Sequence, residues 1–146
     1  MAQCRIEVQA AEDAALDALL SDRLYEFNVD VTGISDGELL SIAMRDESGN
    51  LIAGLNGHSW GGCCEIKQLW IDEQQRGQGL GSTMMMAAER EATRRGCVQI
   101  VLSTHSFQAP EFYEGLGYVR LAAIPNYPKG HENILYIKYL QSSSDA

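Results

Sequence analysis

Residues 69–82 read LWIDEQQRGQGLGS and hold three glycines at alternate positions. The apolar run at the start of this stretch predicts a strand, and apolar side chains spaced four apart from Leu80 onward predict a helix that ends near Arg95. Glycine lets the backbone approach a ligand because no Cβ intervenes, and the free N–H groups at a helix start favour an anion. The stretch therefore predicts a phosphate-binding loop between a strand and a helix.

Two common phosphate-binding motifs do not fit this loop. A P-loop ends in Gly-Lys-Ser/Thr, whereas Gly81 is followed by Ser82 with no lysine nearby. A dinucleotide fingerprint needs a glycine where Ser82 stands, and an acidic residue at the end of the next strand, yet VQIVLSTH contains none. The sequence therefore excludes both classes of nucleotide site.

Composition limits the class of protein. The chain has 146 residues, 45% of them hydrophobic, and predicts one domain over residues 1–146 with a frayed tail from about residue 141. Its 20 acidic and 11 basic residues give a net charge of −9, which argues against a nucleic-acid or membrane partner. No segment approaches the roughly 20 apolar residues of a membrane span, so we expect a cytoplasmic protein.

The cysteines do not indicate a metal site. Four are present, and they form neither a Cys-x-x-Cys pair nor a cluster with histidine at the spacing of metal ligands. Adjacent Cys63 and Cys64 point to opposite faces of a strand, which excludes an unstrained disulfide between them. We expect small buried thiols in a reducing compartment and no bound metal.

The periodicity of apolar residues predicts the order strand, helices, three strands, helix, strand, helix, two strands. This order is typical of an α/β protein with a mixed sheet flanked by helices. The predicted strands are CRIEV, LLSIAMRD, LIAGLNGHSW, CEIKQLWID, VQIVLSTH, YVRLAAI and NILYIKYL, and the predicted helices cover residues 11–28, 80–95 and 109–117. The turn residues ESGN join the second and third strands as a hairpin.

Two motifs give the chain a family resemblance. Residues 76–81, RGQGLG, match an arginine/glutamine-x-x-Gly-x-Gly/Ala pyrophosphate loop, and they follow a strand that ends in LWID. About 30 residues on, SFQAPEFYEGLGYVR resembles a helix that carries Phe-Tyr and ends in Gly-Tyr. With these motifs, the chain resembles the GNAT superfamily of acetyl-CoA-dependent N-acetyltransferases. The resemblance implies the GNAT acyl-CoA N-acyltransferase fold, a mixed twisted sheet of six to seven strands flanked by about four helices.

The resemblance implies that acetyl-CoA is the co-substrate and names the residues that hold it. In the family, the strand before the loop splays from its neighbour, so that its backbone pairs with the pantetheine arm and its N–H groups bind the oxyanion of a tetrahedral intermediate. The positions implied here are Leu69, Trp70, Ile71, Arg76, Gly77, Gln78, Gly79, Leu80, Gly81 and Ser82. One departure concerns an asparagine that the family often carries before the Phe-Tyr pair, since the nearest equivalents here are Ser106 and Gln108.

Tyr113 matches the family tyrosine whose hydroxyl protonates the leaving thiolate. A phenol with a pKa near 10 stays protonated at neutral pH, which suits a proton donor. The alternative is a core tyrosine that packs beside Phe112. Both interpretations stay open from the sequence.

A base is also required, because the amine must lose a proton. Glu65 is the leading candidate, since alternation puts it on one strand face with Lys67, Leu69 and Ile71 and the family commonly has an acidic residue on this strand. His58 and His105 are the rivals. A structural or surface role remains open for all three.

The resemblance implies transfer of acetyl to a primary amine of a small molecule or peptide by direct attack. The acidic residues of the first region hint at a cationic acceptor, and three aromatic residues there and downstream are candidates to wall a pocket. These acidic residues are Asp22, Glu26, Asp30, Asp36 and Glu38, and the aromatic ones are Tyr25, Phe27 and Tyr127. The alternative function is a catalytically silent acetyl-CoA-binding sensor or interaction module.

The last predicted strand, NILYIKYL, suggests a homodimer. Alternation puts Ile134 and Tyr136 on one face and Leu135, Ile137 and Tyr139 on the other, so both faces are mainly apolar. If this strand lies at the sheet edge, a second subunit is the simplest cover for it. We therefore expect a homodimer on the assumption of an edge position.

Overall fold

The computed structural model of the protein describes residues 3–141, and the chain divides after Ile34 into two compact units. The first unit contains helix α1, Ala14–Thr32. The Asp13 carboxylate accepts the N–H of Leu16 at 2.9 Å and begins this helix, and Gly33 ends it in the left-handed conformation. The strand predicted at residues 4–8 is wrong, since it pairs with no described strand and alternation alone supplies no partner.

The second unit is a six-stranded mixed sheet with two further α-helices, and it confirms the predicted α/β class. The strand order is β1-β2-β3-β4-β6-β5, and all neighbours are antiparallel except β3 and β4. The strands are β1 Glu38–Arg45, β2 Leu51–Trp60, β3 Cys63–Ile71, β4 Gln99–His105, β5 Val119–Pro125 and β6 Glu132–Tyr139. The helices are α2, Leu80–Arg94, and α3, Pro110–Gly115, with a short 3-10 turn at Glu73–Gln75. Residues 3–141 thus hold three α-helices where about four were expected.

The hairpin between β1 and β2 is confirmed, and an aspartate stabilises its turn. The Asp46 carboxylate accepts the backbone N–H groups of Ser48 and Asn50 at 2.9 Å each, and these hydrogen bonds lower the pKa of Asp46. Gly49 supplies the left-handed residue with φ of 85°. Ser48, Gly49 and Asn50 predicted the turn, whereas Asp46 was assigned to the end of the preceding strand, which ends at Arg45.

Helix α2 closes the core over the sheet. Its buried residues Met84, Met85, Ala88 and Ala92 pack with buried side chains of the strands. At its C-terminal end, the guanidinium of Arg95 donates to the Ser59 hydroxyl at 3.1 Å and forms ion pairs with Glu38 and Glu91. This network fastens the end of α2 to β1 and β2.

A β-bulge at Lys67 separates β3 from β4. Asn56 of β2 pairs with Gln68 and Gly57 pairs with Ile66, which leaves Lys67 as an extra residue in β3. A bulge bends its strand, and the parallel pairing of β3 with β4 ends at the same place, with Ile66 opposite Leu102. A gap therefore opens between residues 67–71 of β3 and residues 103–105 of β4.

The bulge also changes which side chains share a face of β3. Leu69 and Ile71 lie opposite the buried residues Leu55 and Ala53, so they face the core. Glu65 lies opposite His58 and is exposed. The expectation that Glu65 shares a face with Leu69 and Ile71 is wrong, because alternation assumes an unbroken register.

The assumption that the last strand lies at the sheet edge is also wrong. Strand β6 pairs with β4 on one side and with β5 on the other, so β5 forms the edge. Within β6, Ile134, Tyr136 and Ile137 are buried. The two apolar faces of β6 therefore give no ground for a dimer. The predicted frayed tail, from residue 142 onward, lies outside the described residues.

The helices of residues 3–141 all lack the combination of length and apolar character that a bilayer crossing requires. In the same part of the chain, no three residues among His, Cys, Asp and Glu come together in a group that would hold a metal ion.

Replacing Gly57 with alanine should destabilise the protein, because the new Cβ would lie 2.0 Å from the carbonyl oxygen of Glu65. The obstacle is backbone of the paired strand, so we expect the free energy of unfolding to fall by about 1–3 kcal/mol, as for an overpacked core. Urea denaturation followed by circular dichroism measures this change.

Gly54→Ala in the same strand is the matched control. Its Cβ would lie 3.7 Å from the nearest atom, Leu51 Cδ2, which is an ordinary van der Waals distance. We expect it to change the free energy of unfolding by less than about 0.5 kcal/mol. Equal losses in both variants would contradict the special role of Gly57.

Candidate active site

The gap between β3 and β4 opens into two adjoining cavities in the second unit. The strand cavity, about 660 Å³, is walled by residues 66–70 of β3, residues 102–104 of β4 and parts of β1 and β2. The loop cavity, about 720 Å³, is walled by residues 75–77 and 79–82 and by Phe107 and Phe112. The residues that line both cavities are Leu69, Trp70, Gln108, Ala109 and Tyr113. The cavities therefore meet at these five residues.

The glycines of the loop are needed for two different reasons. Gly77 and Gly79 have φ of 81° and 77°, and a Cβ added to either would meet nothing within 4 Å. Their requirement is therefore the left-handed backbone, which side chains disfavour. Gly81 lies within the helix, and a Cβ there would approach Phe112 Cζ at 3.0 Å. Gly81 thus allows the first turn of α2 to pack closely on α3, a role that the glycine spacing did not reveal.

The start of α2 makes the loop cavity electrically positive. Gly79 is the N-cap residue, and no side chain of the described residues caps the helix there. The first N–H groups of an α-helix have no intrahelical acceptor, and the helix dipole is positive at this end. Arg76 adds a cation, and its Nε donates to the Ile71 carbonyl at 3.2 Å, which holds the side chain beside the end of β3. The described lining contains no carboxylate.

Most of the positions that the resemblance implied line the loop cavity. Of the ten, Gln78 lies outside the lining. Gln75, which the sequence analysis did not include, is part of it. The structure therefore brings the end of β3 and the glycine loop to one cavity.

Tyr113 lies at the junction of the two cavities. Its side chain is 8% exposed and contacts the rings of Phe112 and Tyr118 edge-on, with centroids 5.0 and 5.9 Å away. Burial raises the pKa of the Tyr113 phenol above its ordinary value. The phenol is therefore protonated at neutral pH and borders both cavities.

Gln108, rather than Ser106, borders the cavities. The side-chain oxygen of Gln108 accepts the backbone N–H of His105 at 2.9 Å and the hydroxyl of Thr104 at 3.4 Å. Ser106 instead exchanges two hydrogen bonds with the backbone of Glu132, at 2.8 and 3.0 Å. Of the two residues that stand near the family asparagine, only Gln108 lines the described cavities.

The candidate bases lie outside both described linings. His58 Nε2 lies 3.4 Å from a carboxylate oxygen of Glu65 on the exposed face of the sheet. His105 stacks on Phe107 and on Tyr127, and its Nδ1 lies 2.9 Å from the Tyr127 carbonyl. The structure therefore does not bring these three residues to the junction where Tyr113 lies.

The charged residues of the strand cavity are cations. Its lining, drawn from described residues of the second unit, contains Arg45 and Lys67 and no carboxylate. Two acidic residues that hinted at a cationic acceptor have other partners, since Asp36 accepts the Gly61 N–H at 2.9 Å and Glu38 pairs with Arg95 at 3.5 Å. Within the second unit, the acidic character therefore does not extend into this cavity.

Comparison with known proteins gives consistent matches over most of the chain. The profile of the Acetyltransferase (GNAT) family matches residues 6–118. Blasticidin-S acetyltransferase of Streptomyces morookaense is 41% identical over 95 residues, which are 64% of this chain and 70% of that protein. The crystal structure of an acetyltransferase from Bacillus cereus matches with a TM-score of 0.77 and 28% identity, over 92% of this chain and 98% of that one.

A further structural match is more distant in sequence. It is an aminoglycoside 6'-N-acetyltransferase crystallised with coenzyme A, with a TM-score of 0.63 and 19% identity, over 88% of this chain and 95% of that one. At this identity the likeness concerns the fold alone.

Proposed function

The chain belongs to the acetyltransferase (GNAT) family, and from this premise we propose that it transfers acetyl from acetyl-CoA to a primary amine of a small molecule or peptide. The observation that carries the proposal is the junction of the two cavities at Tyr113. One cavity has the features of a site for an anionic cofactor, and the other is open to an acceptor. The reaction forms a C–N bond and breaks the C–S bond of the thioester by direct attack, through a tetrahedral intermediate.

The loop cavity suits the pyrophosphate of the cofactor. The free N–H groups of the first turn of α2 and the guanidinium of Arg76 offer positive charge where the lining has no carboxylate. The left-handed residues Gly77 and Gly79 present bare backbone at the same place. We therefore assign this cavity to the phosphate groups of CoA.

The gap between β3 and β4 suits the pantetheine arm. From residue 67 onward, β3 has no pairing with β4, so its backbone groups on that side need other partners. An extended ligand with amide groups, such as pantetheine, supplies such partners in the manner of an added strand. The backbone N–H groups of Leu69, Trp70 and Ile71 are our candidates for stabilising the oxyanion.

We assign Tyr113 as the general acid. When the C–S bond breaks, the thiolate of CoA needs a proton, and the raised pKa keeps the Tyr113 phenol protonated. Its place in both linings puts the hydroxyl-bearing side chain where the arm and the acceptor meet.

We assign Glu65 as the final acceptor of the amine proton, through solvent. The described lining of the strand cavity contains no carboxylate or imidazole that would take this proton directly. Glu65 is half exposed, pairs with His58, and shares the outer face of β3 with Gln68 and Trp70 of the lining. A chain of water molecules along this face would connect the amine with the carboxylate.

A catalytically silent acetyl-CoA-binding module is the second candidate function. The placement of all three candidate bases outside the linings favours it. The test that separates the two is thiol release from acetyl-CoA in the presence of polyamines, aminoglycosides, amino acids and basic peptides. Turnover with at least one class supports the enzyme, whereas tight CoA binding without turnover on any of them supports the silent module.

Arg76→Ala and Gly79→Val should each weaken the binding of CoA about ten- to hundredfold. Removal of Arg76 deletes a charge-assisted contact, typically about 1.5–3 kcal/mol, and valine at Gly79 disfavours the left-handed N-cap. Isothermal titration calorimetry with CoA measures both effects. The controls are Arg90→Ala, which removes an exposed arginine of α2 outside the lining, and Gly96→Val, which strains the left-handed residue after α2. If both test variants bind CoA with wild-type affinity, the loop is not part of the cofactor site.

Tyr113→Phe should lower turnover about 10²–10⁴-fold with little change in CoA affinity, because only the proton donor is lost. Steady-state kinetics with the best acceptor, together with calorimetry, measures the two quantities. The matched control is Tyr118→Phe, since the Tyr118 hydroxyl is buried and has no hydrogen-bond partner among the described residues. Turnover within about twofold of wild type in Tyr113→Phe would make Tyr113 a core residue only.

Glu65→Gln should lower turnover near pH 7 by about 10²-fold or more, as is usual when a general acid or base is lost. The loss should shrink as the pH approaches the pKa of the acceptor amine, because the amine then arrives without its proton. A pH–rate profile compares this variant with Glu47→Gln, a control at an exposed turn residue. If the pH–rate profiles of the wild-type protein and of Glu65→Gln have the same shape, Glu65 is not the proton acceptor.

A further inference from the structure

The strand cavity has a charge opposite to that of the chain. The protein carries a net charge of −9, yet Arg45 and Lys67 are the only charged residues in the described lining. The other polar side chains there are neutral, and they include Asn56, Gln68 and Gln108. An acid-free lining with two cations in such an acidic protein indicates a site for a negatively charged group.

Both cations are available to a ligand. Arg45 ends β1 and Lys67 is the bulge residue of β3, and both side chains are exposed. The ion pairs between described residues involve neither of them. Within residues 3–141 the Arg45 side chain makes one hydrogen bond, 3.2 Å from Nη1 to the Gly49 carbonyl, and this bond leaves the other N–H groups of the guanidinium for a ligand.

The strand between the two cations leaves room for a ligand. Strand β2 contributes Gly54 and Asn56 to the lining, opposite Trp70 and Gln68 of β3. Gly54 has no side chain, and the half-exposed indole of Trp70 provides an apolar wall at the junction with the loop cavity. The register places Arg45 opposite Leu51 and Lys67 next to Asn56, so the two cations lie at different places along β2. A small acceptor at the junction therefore has Lys67 at one end and the apolar surface of Trp70 beside Tyr113 at the other.

These cations are separate from the phosphate site. The glycine loop, Arg76 and the start of α2 line the loop cavity, whereas Arg45 and Lys67 line only the strand cavity. The two linings share no charged residue. The charge in the strand cavity is therefore available for the second substrate.

We propose that the acceptor is an amine that also carries a carboxylate, that Lys67 binds this carboxylate while the amine lies at the junction near Tyr113, and that Arg45, farther along the cavity, adds to its positive potential. A lysine ammonium forms a charge-assisted hydrogen bond with a carboxylate, and Lys67 lies two residues from Leu69 of the junction. Amino acids and related amino carboxylates are the substrate class. The inference rests on the proposed acetyl transfer and replaces the cationic acceptor that the acidic sequence suggested.

The test compares matched acceptors that differ only in the acid group. Thiol release from acetyl-CoA is measured with amino acids and their amides, and with 6-aminohexanoate, hexylamine and 1,5-diaminopentane. We expect kcat/KM for the acids to exceed that for the matched amines whose other end is neutral or cationic. The expected ratio is about ten- to hundredfold, the usual effect of a charge-assisted contact. A preference for the amides or the diamine would overturn the inference and leave the proposed function standing. Turnover of no amine, with CoA still bound, would overturn both.

Variants then identify the residues that cause the preference for acids. Lys67→Gln should remove most of the preference for the acids over the amides and Arg45→Gln a smaller part of it, whereas Lys67→Arg and Arg45→Lys keep the charge and should keep most of that preference. Lys129→Gln is the control, since this exposed lysine lies in the loop between β5 and β6 and outside both linings. An unchanged preference in both glutamine variants would overturn the inference. Weakened CoA binding by calorimetry in these variants would assign the two cations to the cofactor and overturn it as well.

Discussion

The contact between Gly57 and the backbone of β3 is the constraint on which the rest of the site depends. A side chain at Gly57 would meet the Glu65 carbonyl at 2.0 Å, so the two strands come this close only with glycine. The close approach occurs next to the extra residue Lys67, where β3 also loses its pairing with β4. The bulge bends β3 where its pairing with β4 ends, so the gap that leads into both cavities begins at this residue.

The positive charge of the two cavities depends on the same arrangement of strands. Both cavities are free of carboxylates in their described linings, although the chain has 20 acidic residues. The start of α2 and Arg76 make one end positive, and Arg45 with Lys67 make the other positive. Positive sites inside a negative protein concentrate the field where anionic groups bind, while the acidic remainder repels polyanions such as nucleic acids. The net charge alone suggested a cationic acceptor, because it averages over the surface and does not show the charge of a single cavity.

The sequence predicted the parts of the fold that depend on local patterns. The glycine loop, the hairpin at Gly49 and helix α2 come from turn residues and apolar spacing within single segments. Pairing between distant segments was not predictable in this way. The strand predicted at residues 4–8 pairs with none of the described strands, β6 lies inside the sheet, and Ser106 is held by Glu132, 26 residues away. Even Gly81 owes its role to Phe112, which no spacing within the loop indicates.

The bulge also determines which side chains of β3 line the strand cavity. In an unbroken strand Glu65 would share a face with Leu69, and the outer face would present a different set of side chains. One extra residue turns Leu69 toward the core, leaves Glu65 outside with His58, and places Lys67 in the lining of the strand cavity. The insertion at the start of the gap between β3 and β4 thus also adds a positive charge to the strand cavity. A change in acceptor preference that kept the cofactor site would therefore need substitution at Lys67 rather than loss of the bulge.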